Sequence, residues 1–209
     1  MIVRTISDLV DVIVEKRAAR TRYLIAIAGP PGSGKSTLCE KLAPLLETSG
    51  DAAAIVPMDG FHLENKTLQR MDLLHRKGAP ETFDADGFVE LVRRLHTPEG
   101  PVKVPLFDRD ADCVLPDAHV VDQDTKYILV EGNYLLLNRQ PWSQLSTLFD
   151  CTIMIQTAMD VLRERLIARW LEQGFDRTKA EAKALGNDVP NASLVVSEST
   201  RADVDFQPH

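Results

Sequence analysis

The chain is poor in the residues that announce disulfide, zinc or membrane chemistry. Three cysteines, Cys39, Cys113 and Cys151, lie far apart in 209 residues with no CxxC spacing. This argues against a disulfide framework or a cysteine metal site, and they read as the reduced thiols of a cytoplasmic protein. The five histidines form no HExxH or HxH arrangement, so no zinc centre is expected. Positive charge is scarce as well. The 24 Lys and Arg against 31 Asp and Glu leave a net charge of −7, the opposite of the basic face that nucleic acid requires. Long apolar runs are missing: Met1–Arg20 mixes acids among its apolar residues and reads as neither signal peptide nor membrane span. No repeat, low-complexity tract or linker divides the chain, so one α/β domain over residues 1–209 is expected.

What is present is concentrated near residue 30. Gly29-Pro30-Pro31-Gly32-Ser33-Gly34-Lys35-Ser36-Thr37 fits GxxxxGK[ST] and follows the apolar run Tyr23–Ala28 directly. Glycines at 29, 32 and 34 let successive amide N–H groups converge on one anion. The helix that follows offers its unpaired N-terminal N–H groups to the same anion. Lys35 is expected to reach the β- and γ-phosphates of a nucleoside triphosphate, and Ser36 to hold Mg²⁺. A guanine-nucleotide switch would need an NKxD element late in the chain. The only Asn-Lys pair, Asn65-Lys66, is early and continues Thr67-Leu68.

Further apolar runs end in carboxylates: Ala53–Met58 at Asp59 and Tyr127–Val130 at Glu131. Such runs suit strands buried on both faces of a parallel sheet. Cys151–Ile155 reads as a fourth strand and Ala202–Phe206 as a short fifth at an edge. Helical stripes (Leu38, Leu42, Leu45, Leu46; Phe88, Leu91, Val92, Leu95; Ile6, Leu9, Val10, Ile13 behind a Thr5/Asp8 capping box) lie among them. The expectation is a three-layer α/β/α sandwich with a mostly parallel five-stranded sheet. Ligands then bind at the carboxyl ends of the strands, where Gly29, Asp59 and Glu131 emerge together.

Asp59, in Asp59-Gly60-Phe61-His62, can accept the proton of an attacking hydroxyl or hold a metal through water; it could also be a plain turn residue. Glu131 suits the outer shell of Mg²⁺ or a turn before Gly132. Lys77, Phe83 and Asp84 are acceptor-binding candidates in Lys77–Asp84, with Asp84 alternatively a helix N-cap. Arg109 either orients substrate or pairs with Asp108 or Asp110. His62 is a further substrate contact or a surface histidine. Arg165 and Arg169 share a helix face opposite Leu162, Leu166, Ile167 and Trp170, so a small helical lid over about 160–190 could bring Arg169 to the phosphates, with Arg177 a second candidate. Asn187 and Asn191 are open between adenine contact and helix capping. The sequence sets no oligomeric state; a homodimer is one option.

The phosphate loop, Met58–His62, Lys77–Asp84 and Val130-Glu131-Gly132-Asn133-Tyr134 together resemble the P-loop kinases grouped with uridine kinase, type I pantothenate kinase and phosphoribulokinase. Arg165–Trp170 and Asn187–Ala192 are similar to the branch of bacterial fructose transport system kinases. The resemblance runs from Tyr23 to near the end. It implies the P-loop NTP hydrolase fold, Mg-ATP as donor, a small-molecule acceptor, Asp59 as the base and metal-linked residue, Glu131 as the acid after the Walker B strand and Arg169 as a lid arginine. The acceptor segments lack the fuller nucleoside pattern of uridine kinases, which leaves sugar, nucleoside and pantothenate-like acceptors open. An ATP-binding accessory of sugar transport is the alternative to a kinase.

Overall fold

The computed structural model describes residues 1–17, 21–48, 50–97 and 99–208. In chain order the elements are β1 (Ile2–Val3), α1 (Ile6–Arg17), β2 (Tyr23–Ala28), α2 (Lys35–Glu47), β3 (Ala53–Pro57), α3 (Asn65–Arg70) and α4 (Ala85–His96). The hairpin β4 (Val102–Asp108) and β5 (Cys113–Val121) follows, then β6 (Tyr127–Gly132), β7 (Cys151–Ile155), α5 (Met159–Glu172), α6 (Arg177–Lys183), α7 (Val189–Glu198) and β8 (Val204–Phe206).

The main sheet has six strands in the order β1-β8-β7-β2-β6-β3, every pair parallel. It therefore has one strand more than the sequence suggests. Ile2–Val3 forms the edge, and β8 lies inside it between β1 and β7. A two-residue strand carries no periodicity to read; only its pairing with Asp205 and Phe206 defines it. The hairpin β4–β5 is a separate antiparallel pair. Its register shifts between Val104 and Leu106, at Pro105, which has no N–H to give a ladder.

Alternation along the central strands divides two cores. Leu24, Ala26 and Ala28 face a cluster with Val56, Met58, Phe88, Ile128, Val130 and Trp142. Tyr23, Ile25 and Ile27 face the other side with Leu9, Ile13, Leu38, Leu42 and Leu46. Both faces are covered, so β2 and β6 are buried along their whole length. In α2 the buried stripe is Leu38, Cys39, Leu42 and Leu46, whereas Leu45, assigned to it from spacing, is exposed. The α1 cap is present, with Asp8 N donating to Thr5 Oγ1 at 3.1 Å. A third apolar cluster, Leu162, Leu166, Ile167, Ala180, Ala184 and Ala192, joins α5 to α7. No helix among the described residues is long and apolar enough to cross a membrane.

Candidate active site

Strand β2 delivers the chain into the glycine-rich loop, and α2 starts at Lys35. Gly32 and Gly34 have φ of +81° and +92°, a region that other residues enter only at a cost. A side chain at Gly32 would also press on Leu166 of α5 at 3.3 Å, so that helix packs directly on the loop. Gly34 caps α2 without a side-chain bond, which leaves helix N–H groups for an anion. Lys35 is buried, and its Nζ donates to Pro30 O at 3.1 Å and Asn133 Oδ1 at 2.7 Å. Burial pulls its ammonium below the usual lysine value, opposed by the charges of Glu131 and Asp59. Ser33 Oγ lies in the same loop, buried and with no partner among the described residues.

Glu131 stands near the end of β6, in register with Ile27 of β2 and Pro57 of β3. Its carboxylate accepts from Ser36 Oγ at 2.8 Å, and burial pushes its pKa up, opposed by Lys35. Asp59 lies in the 3₁₀ turn Met58–Phe61 just beyond β3. Arg109, following β4, donates from Nη2 to Asp59 Oδ2 at 2.6 Å. Asp108 and Asp110 are not the partners of Arg109: Asp108 Oδ1 accepts from Asp110 N and Ala111 N, both at 2.9 Å, and closes the hairpin turn. Among the described residues no three His, Cys, Asp or Glu side chains form a metal cluster. The oxygen set here, Glu131 and Ser36 beside an amide cradle, fits Mg²⁺ held largely by phosphate oxygens and water.

On the far side of Asp59 lies an aromatic wall. The His62 ring sits between Phe83, with centroids 4.1 Å apart, and Phe107, at 4.6 Å. Its Nδ1 is 2.8 Å from Asp59 O; a carbonyl only accepts, so Nδ1 carries the proton. Burial lowers the pKa of His62. Lys77 Nζ donates to Asn65 Oδ1 and Asp112 Oδ1, both at 2.7 Å, over the Phe107 ring. Asp84 caps α4, accepting from Gly87 N at 3.0 Å.

The segment after β7 supplies the arginines. Arg165 Nη1 donates to Gly32 O at 3.2 Å, so it holds the phosphate loop from outside. Arg169 pairs with Asp188 at 3.2 Å, and its charge lowers the pKa of Lys35. Arg177 pairs with Glu181 on the surface. Asn187 Nδ2 donates to Lys77 O at 2.8 Å and Asn191 Nδ2 to Asn187 Oδ1 at 3.3 Å.

The sequence profile described as "Phosphoribulokinase / Uridine kinase family" matches residues 24–207. The chain belongs to that family. Over 186 residues it is 38% identical to the protein YggC of Escherichia coli strain K12, covering 88% of this chain and 76% of that protein. Over 214 residues it is 35% identical to a Schizosaccharomyces pombe protein named "Putative uridine kinase C227.14", covering 98% and 91%. The crystal structure of a "putative fructose transport system kinase" from Silicibacter sp. TM1040 superposes with a TM-score of 0.93 at 40% identity, covering 97% of this chain and 99% of that one. This is a P-loop kinase fold of the uridine kinase, pantothenate kinase and phosphoribulokinase type.

Within this kinase fold the geometry brings Lys35, Ser36, Glu131, Asp59 and Arg109 to one edge, with His62, Phe83 and Lys77 beside them. Asn133, the partner of Lys35, was not singled out by sequence reasoning. Its place two residues after Glu131 at a strand end was the available signal. Asp188 was missed too, because its partners Arg169 and Trp170 lie 19 and 18 positions earlier. Burial raises the pKa of Cys39 and pushes that of Cys151 up to about 11, so both buried thiols favour the protonated form.

Proposed function

We propose that the protein is an ATP-dependent kinase that moves the γ-phosphoryl group to a hydroxyl of a small metabolite, a sugar, a nucleoside or a pantothenate-like alcohol. The observation that carries this reading is Asp59, ion-paired with Arg109 on the strand edge that also holds Lys35 and the Ser36–Glu131 pair. The amides of Gly29–Thr37 and the Lys35 ammonium hold the triphosphate. Ser36 and Glu131 would hold Mg²⁺, which when bound neutralises charge on the β- and γ-phosphate oxygens. Asp59 takes the proton of the acceptor hydroxyl as that oxygen bonds to phosphorus and the bond to the β-phosphate oxygen breaks, releasing ADP. Arg109 fixes the orientation of the Asp59 carboxylate, and Arg169 meets the charge on the transferring group. The acceptor lies against His62, Phe83 and Lys77.

The nucleoside end leaves the loop at Pro30. There a cleft of about 240 Å³ is lined by Gln156, Thr157, Val196, Ser199 and Arg201, and Ser199 Oγ is buried without a partner among the described residues. This supports the cleft, rather than Asn187 or Asn191, as the place of the base.

ADP release should be measured with magnesium ATP against panels of sugars, nucleosides and pantothenate-like alcohols. An acceptor that stimulates release is expected, and Lys35→Ala or Asp59→Asn should lower that turnover on the order of 10²–10³-fold. Intact magnesium-nucleotide binding with no stimulation by any acceptor would overturn the kinase reading in favour of an ATP-binding accessory of sugar transport. Undiminished transfer by Asp59→Asn would remove Asp59 from the base role.

A further inference from the structure

Between α6 and α7 the helix widens into a π turn, Ala184–Asp188, a local irregularity often found at functional positions. Two consecutive side chains of this turn reach in different directions. Asn187 donates to the carbonyl of Lys77 in the acceptor loop, 110 positions away, with its amide oriented by Asn191. Asp188 is 8% exposed and uses one oxygen, Oδ2, for two donors: Trp170 Nε1 at 2.6 Å and Arg169 Nη2 at 3.2 Å. A buried carboxylate with a charged and a neutral donor is an expensive arrangement that fixes its partners firmly. The other guanidinium N–H groups of Arg169 are left for an anion. Among the described residues the Arg169 guanidinium makes no hydrogen bond or ion pair other than that to Asp188.

Resting on the kinase reading above, we propose that Asp188 is a positioning residue that aims Arg169 at the terminal phosphate, and that Asn187 anchors this π turn to the acceptor loop. One short turn then ties the arginine that meets the γ-phosphate to the loop that faces the acceptor. Loss of Asp188 should be felt only where Arg169 acts, on the third phosphate.

The test needs no acceptor. Calorimetric titration with magnesium ATPγS and with magnesium ADP gives the preference for the triphosphate. Arg169→Ala and Asp188→Asn should each reduce that preference about tenfold, the loss of one charge-assisted contact, with ADP affinity unchanged. Asp188→Asn keeps an oxygen for Trp170. The double variant should fall no further than Arg169→Ala, because both changes remove the same interaction. Asn187→Ala, which leaves both ionic groups intact, should reduce the preference about threefold. An unchanged preference in Asp188→Asn would overturn the proposal. So would equal weakening of ATPγS and ADP, the mark of a packing role, or full additivity in the double variant. If Arg169→Ala alone leaves the preference intact, the role of Arg169 in the proposed function fails and the positioning role of Asp188 with it. A normal Arg169→Ala effect with a silent Asp188→Asn sinks the inference alone.

Discussion

Replacing Gly60 by alanine should loosen the hairpin and the proposed base, Asp59, together. Gly60 lies one residue after Asp59, and a Cβ there would overlap the carbonyl oxygen of Pro105 and stand 2.7 Å from its carbon and 3.3 Å from Leu106 N. All three are backbone atoms of β4, so no rotamer change gives relief. Forcing one carbon into a packed site costs about 1–3 kcal/mol. For a chain of 209 residues, each 1 kcal/mol lowers the melting temperature by about 2–4 °C, so a fall of about 2–12 °C is expected. Arg109 follows Pro105 by four positions on the same hairpin, and displacing β4 pulls it away from Asp59, so turnover should drop as well. Gly186→Ala is the control: beyond its own turn, nothing among the described residues lies within 4 Å of an added Cβ, and the change should be neutral or stabilising by up to about 1 kcal/mol. Thermal unfolding and acceptor-stimulated ADP release decide. A Gly60→Ala protein that melts and turns over like the unmodified chain, beside a normal Gly186→Ala, would refute the close approach of β4 to the turn.

Asp84→Ala should destabilise by about 1 kcal/mol through loss of the α4 cap while leaving the acceptor KM unchanged; a raised KM with unaltered melting would make Asp84 a substrate contact instead. His62 has its pKa lowered below the ordinary 6.5 by burial. The unfolded chain therefore binds that proton first as pH falls, and stability drops below about pH 6.5 with a slope of at most about 1.4 kcal/mol per pH unit for one proton. His62→Phe keeps a ring between Phe83 and Phe107 and should flatten that fall in denaturant titrations across the range, whereas parallel curves would assign the acid sensitivity elsewhere. Magnesium ATPγS at about a hundred times its dissociation constant should stabilise the fold by about 2.7 kcal/mol, read as a rise in melting temperature. Lys35→Ala should lose most of that rise at the same ligand concentration, and a full rise would count against Lys35 as a phosphate ligand.

The central strands were legible because burial on both faces writes itself as continuous apolar runs: Tyr23–Ala28 and Cys151–Ile155 are strands over the same residues as read from sequence. The phosphate loop, Ser36 and Glu131 were legible because they follow such runs directly. The hairpin was not. Pro105 and Pro116 interrupt its pattern and β5 is mostly exposed, so only Arg109 stood out. Its chief consequence, the Arg109–Asp59 pair, joins residues 50 positions apart and could not come from local spacing. The same holds for Lys77, whose partners Asn65 and Asp112 are set by where the hairpin tip folds back. Asp59 and Asp84 looked alike as acids before glycine or alanine. The structure separates them, since Asp84 spends its carboxylate on Gly87 N while Asp59 turns outward to Arg109.

The electrostatics of the site run against the stability of the fold. Lys35 is shifted down and Glu131 up, each chiefly by burial and each relieved by the other's charge. Removing such ions from water costs several kcal/mol apiece unless good partners answer them. Yet no direct ion pair joins them. Lys35 bonds to Pro30 O and Asn133 Oδ1, and Glu131 accepts from Ser36 Oγ. Neutral groups thus hold a cation at the start of α2 and an anion near the end of β6 apart. On the proposed function, a triphosphate tail would supply the anion that Lys35 lacks, and a hard cation beside Ser36 would supply the counter-charge for Glu131. The arrangement is poor as a structural salt bridge and well suited to a charged ligand, which is why the site rather than the fold explains these two residues.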